Sequence, residues 1–200
     1  MLPSLIGADS LNGLVKQWII QWRLMGCCGA IKKWRLAAFN SIVHNFGVLV
    51  LVEAEFGTGT IDVDKVNITR KKAWIFHRKN DAMAPDGDIY FHPDGNAYMD
   101  DFSTGDLSTQ GFFLHEMTHV YEVQTTGKTL WSIKGAFNTY KVIPSDIING
   151  KQWESFNIEQ QAQIVRFHFY SKHGRYPTSW TNKTRPTTAD FEKILPFIKK

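Results

Sequence analysis

The run His115-Glu116-Met117-Thr118-His119, entered through Gly111-Phe112-Phe113-Leu114, constrains this 200-residue chain more than any other feature. On a helix, His115 and His119 lie one turn apart on the same face, so both imidazoles can reach a single metal ion. Glu116 then sits about 100° round the helix from His115, near enough to contact a metal-bound water without ligating the metal. This is the H-E-x-x-H arrangement of zinc peptidases. The plain alternative is an amphipathic helix carrying two surface histidines.

Two imidazoles do not make a catalytic zinc site, which needs a third protein ligand and an open position for water. One class of these enzymes continues H-E-x-x-H-x-x-G-x-x-H. Here Glu122 and Thr125 occupy the last two marked positions, which excludes that class. The other class takes a glutamate from a later helix. The segment Asn157-Ile158-Glu159-Gln160-Gln161-Ala162-Gln163 offers Glu159, forty residues after His119. An acidic residue in a first helical turn is also favoured simply by the helix dipole. Glu154, before the helix, is the alternative ligand. Gln163, one turn after Glu159, can offer an amide oxygen to an imidazole N–H, and Asn157 is either part of the same support or only the helix cap. Zinc polarises water, Glu116 takes the proton, and a second donor is needed for the oxyanion. Tyr140 is the candidate donor and His168 the runner-up; both are equally explained as core aromatics.

At 43% hydrophobic and 14% aromatic, the chain has material for one well-buried domain and too little for two large ones. A net charge of +4 does not by itself indicate nucleic acid. Charge is unevenly spread. Leu11 to Val52 holds five basic and no acidic residues, whereas Asp81 to Asp106 holds seven Asp and no Lys or Arg. The two regions can pair within the molecule or attract an external anion. Adjacent Cys27 and Cys28 cannot form a disulfide framework, as expected of a protein made in a reducing compartment. The first residues lack the pattern of a secretory signal peptide, and the apolar stretch Leu36 to Phe56 is too interrupted to span a membrane.

Periodicity predicts helices over residues 9–25 and 31–46, and Val48-Leu49-Val50-Leu51-Val52 reads as a buried strand or as a continuation of the second helix. Short strands are expected at Ile61–Ile68, Ala73–His77 and Asp88–His92. Pro85-Asp86-Gly87 and Pro93-Asp94-Gly95 read as turns, in preference to calcium loops, whose register they lack. The motif helix is expected from Ser108 to Thr126 with Gly127 as its stop, and a further helix from Phe156 to Tyr170. The expected organisation is a helical N-terminal segment, residues 1–56, packed on a catalytic domain, residues 57–200. One wall of the cleft is expected from Asp88–His92 or Asn96–Asp100 with the Asp100-Asp101 loop, and Tyr140 near the other wall. The aspartates would make that wall negative and favour an amine or basic side chain near the cut; alternatively they only cap turns.

The motif run, the segment Asn157 to Ala162, and the upstream Met83-Ala84-Pro85-Asp86-Gly87-Asp88-Ile89-Tyr90-Phe91 with Asp101-Phe102-Ser103 resemble a bacterial family of zinc metallopeptidases. Members of that family are associated with VgrG and Rhs elements of type VI secretion. The likeness covers about residues 60 to 170 and departs at Gln163, where the family commonly has Glu. It implies an α+β, zincin-like fold of the glutamate-ligand type, with a small, mostly antiparallel sheet, an active-site helix and a helical second half. It implies a Zn2+-dependent hydrolase exported into a target cell as an effector or toxin, acting on a protein or on a peptidoglycan peptide. A VgrG/Rhs-type component and a cognate immunity protein would then be partners, with no nucleic acid and no membrane span. The rival is a zinc-binding adaptor of the secretion spike without catalysis.

Overall fold

The structure, a computed structural model, describes residues 47–129, 139–181 and 184–198. The chain divides into two compact units, Met1–Val43 and His44–Lys200, and all described residues belong to the second. The helices expected at 9–25 and 31–46 and the cysteine pair lie outside the described residues, as does the charge pairing proposed for that region. Among the described residues, no helix is long and apolar enough to cross a membrane.

Residues 47–56 form a helix, α1. Val48, Val52 and Phe56 recur every four residues and are all buried, so the apolar run packs as one helical face and not as a strand. This helix shares the core of the unit that begins at His44, although the sequence reading grouped it with the N-terminal segment. Its Glu55 is buried and ties it to α4 (Ile158–Lys172), where it meets His168 Nδ1 at 2.5 Å and Lys172 Nζ at 2.9 Å.

Three short strands follow: β1 (Ile68–Thr69), β2 (Ala82–Met83) and β3 (Ile89–Phe91). Their order is β1-β3-β2, with β1 parallel and β2 antiparallel to β3. The sheet is therefore mixed, not mostly antiparallel. The central strand is β3, which leaves β2 at an edge. Between Ile61 and Ile68, where one strand is expected, the chain makes a 3-10 turn at Val63–Lys65 before β1 begins. Gln124 of the motif helix holds this turn by exchanging two hydrogen bonds with the backbone of Asp62. Ala73–His77 is also not a strand. The His77 ring folds back, its Nδ1 accepting from Ala73 N–H and its Nε2 facing the Asp81 carbonyl at 2.9 Å, which closes a loop.

The motif helix, α2 (Leu107–Thr126), starts at Asp106, whose carboxylate accepts from Thr109 N–H, and stops at Gly127, left-handed at φ 67°. Residues Phe113 to Val120 are all buried, so this is the central helix of the unit. The Phe91, Phe102 and Phe113 rings stack in sequence, with centroids 5.2 and 4.5 Å apart, and fasten α2 to the sheet. After α3 (Pro144–Ile148) comes α4, capped by Asn157 and Gln160 in a reciprocal box and packed along α2. A last short helix, α5 (Thr188–Glu192), packs against α4 and α3.

Candidate metal centre

α2 and α4 bring His115, His119 and Glu159 to one point. The Nε2 atoms of His115 and His119 lie 3.4 and 3.5 Å from the same Glu159 oxygen. All three side chains are buried, and their donor atoms fall within 4.8 Å of one another. A tetrahedron with arms of about 2.1 Å has edges of about 3.4 Å, so the spacing suits zinc. The Glu159 oxygen that both rings face is buried and accepts no hydrogen bond. An orphaned carboxylate oxygen between two imidazoles is costly unless a proton or a cation occupies the gap.

Protonation here follows from burial and neighbours. Burial dominates at His115 and holds its ring well below the usual histidine range, despite the facing Glu159. At His119 burial acts the same way but is outweighed, because Glu122 accepts at Nδ1 and Glu159 faces Nε2, which raises it. Glu159 is the converse case: burial would raise its carboxyl, but the two histidines pull it down. These shifts favour a neutral His115, an ionised Glu159 and a His119 ring that keeps its second proton. Burial lifts Glu116 to about 7, suited to exchanging a proton near neutrality.

The centre opens into a cleft of about 870 Å³ whose lining includes Glu116, Tyr140 and Gln163. Tyr140 is exposed, with its ring centroid 6.0 Å from that of His115 and the planes within 26° of parallel. Burial and the nearby carboxylates push its hydroxyl up to about 12, so it remains a donor at neutral pH. Asn157 is the helix cap, and it also reaches this segment: its Nδ2 donates to Thr139 O, while Gln160 Nε2 donates to Lys141 O. The two bonds flank Tyr140. Gln163 stands in the cleft, but its Oε1 and His115 Nδ1 are both buried without partners, so the expected bond between them is not made.

Other expectations are corrected. Glu154 is exposed in a 3-10 turn and takes no part in the cluster. His168 is fully buried against Glu55 and does not line the cleft, which removes it as an oxyanion donor. One wall of the cleft is Ala82–Pro85, including edge strand β2; Asp88–His92, with β3 inside the sheet, does not line it, nor do Asn96–Asp100 and the Asp100-Asp101 loop. Nor is that wall acidic. Asp86 accepts from Tyr90, Asp88 from Asn67, Asp101 from Ser103 and Asp106 from Thr109; only Asp81 of the seven lines the cleft. Glu122, which in the sequence only excludes a ligand class, touches the His119 ring. Its spacing of three from His119 was the signal that it could orient that ring.

No known family profile matches the chain. It is 33% identical over 138 residues to the type VI secretion system spike protein VgrG2b of Pseudomonas aeruginosa, covering 64% of this chain and 13% of that protein. The chain thus corresponds to a small part of the spike protein's length. Among solved structures it matches the effector domain of Pseudomonas aeruginosa VgrG2b with a TM-score of 0.54 and 31% identity, over 64% of this chain and 72% of that one. Alike in sequence and in fold across most of that domain, the chain belongs to the family of the VgrG2b effector domain.

Proposed function

We propose that this chain is a zinc-dependent peptidase that serves as a type VI secretion effector. The observation that carries the chemistry is the convergence of two imidazoles and an orphaned carboxylate oxygen, beside a buried glutamate, at the base of an open cleft. His115, His119 and Glu159 would hold the ion. Zinc bound there supplies Lewis-acid activation of water and of a substrate carbonyl. Glu116 accepts the water's proton and can return it to the leaving amine. Tyr140 donates its hydroxyl hydrogen to the developing oxyanion from the mouth of the site. Glu122 fixes the His119 ring by accepting at Nδ1. Edge strand β2 lies along the cleft, where an extended peptide can lie as an added strand.

The secretion role rests on the likeness to VgrG2b. It brings with it a spike component as carrier, export into a target cell, a peptide substrate in protein or peptidoglycan, and an immunity protein in the producing cell. Glu116→Gln tests the catalytic part. The variant should fold and keep zinc but lose peptide hydrolysis and toxicity, since an amide cannot take the proton. Toxicity unchanged by that substitution would remove the peptidase and leave a zinc-binding adaptor of the spike.

A further inference from the structure

One side of the cleft takes no part in the chemistry proposed above. Glu159, Gln163 and Arg166 follow at helical spacing on one face of α4, and all three line the cleft. Arg166 is fixed in place: its Nε donates to the Tyr170 hydroxyl at 2.8 Å, with the guanidinium carbon 5.4 Å from that ring's centroid. Tyr170 in turn fits against the motif helix because residue 111 is glycine. A Cβ built at Gly111 would fall on the Tyr170 ring and only 2.9 Å from its hydroxyl oxygen. Gly111 lies one turn before His115, so the helix that carries the two histidines also sets where the guanidinium stands.

Among the described residues no carboxylate lies within ion-pair distance of Arg166. Arg166 lines the cleft, and among the described residues its two terminal nitrogens have no acceptor, so the guanidinium keeps a fork that matches a carboxylate. Arg78 lines the same cleft from the loop after Trp74 and Phe76, whose rings give that side an apolar lip. We propose that Arg166 anchors a substrate carboxylate, so that the peptides this cleft takes carry a free acid, at a chain end or on a side chain, close to the scissile bond. This rests on the zinc peptidase reading and reverses the preference for a basic substrate that the aspartate count suggests.

Three hydroxamate-capped dipeptides, which anchor on a metal ion through the hydroxamate, test the proposal by calorimetric titration of the zinc-loaded full chain. One ends in a free carboxylate, one in a carboxamide, and one has a glutamate side chain ahead of a carboxamide. At least one acid probe should bind about tenfold tighter than the plain carboxamide, the worth of a charge-assisted hydrogen bond. That gain should vanish in Arg166→Gln and survive in Arg78→Gln, and the acid probe that shows it tells a chain end from a side chain. Tyr170→Phe, which keeps the charge but frees the guanidinium, should shrink the gain. Equal binding of all three probes by the natural chain, or a gain that survives Arg166→Gln, would overturn the proposal and leave the zinc centre standing. Binding of none of them by folded protein would overturn the zinc reading and the proposal together.

Discussion

His115 and His119 face one carboxylate oxygen, yet burial drives the first down while Glu122 and Glu159 bring the second up. The difference lies at Nδ1, which is without a partner in His115 and bonded to Glu122 in His119. A metal needs both Nε2 lone pairs. At pH 7 the low His115 is already neutral, whereas the raised His119 still holds its proton, so zinc must displace it. Glu116, lifted to about 7, is partly protonated at that pH and loses the remainder when a cation arrives beside it. Zinc binding at pH 7 should therefore release between about one and two protons per chain. Titration calorimetry in two buffers of different ionisation enthalpy measures this number. Zero release would mean that the histidines are already neutral and the charge assignment is wrong.

Among the elements, the helices carry explicit signals and the strands do not. Gly127 stops α2 and Asn157 caps α4, as the cap rules applied to the sequence allow, whereas α2 begins at Leu107 behind Asp106, one residue before the expected Ser108. Asn157 has two roles that substitutions can separate. Asn157→Ala should cost about 1 kcal/mol of stability through loss of the cap. Asn157→Asp keeps the cap acceptor but loses the donor to Thr139, so its denaturation midpoint should stay near that of the natural chain while the Tyr140 segment loosens. Equal destabilisation by both would contradict this division. The strands escaped because two or three residues carry too little alternation to locate or pair. Trp74-Ile75-Phe76 misled for another reason: it is apolar but exposed at the mouth of a cleft, and apolarity there reads as a buried strand. Arg166 gave no motif, because its place in the cleft depends on the packing of α4 along α2; Glu122 was legible only in its spacing from His119 on the same helix.

At the scale of the molecule, the site is a junction of two helices that the rest of the unit holds in register. The aromatic stack fastens α2 to the sheet, and the buried Glu55 fastens α4 to α1. The convergence of His115, His119 and Glu159 was legible because each sits on a helix with its own sequence signature. The cleft was not legible, since its wall depends on strand order and its charge on which aspartates are engaged in turns. Zinc content of the full chain, purified without chelator, tests the central claim most directly. The account predicts about one zinc per chain, lost when Glu159 is replaced by Ala in a chain that still folds; less than about a tenth of a zinc in the natural chain would contradict it.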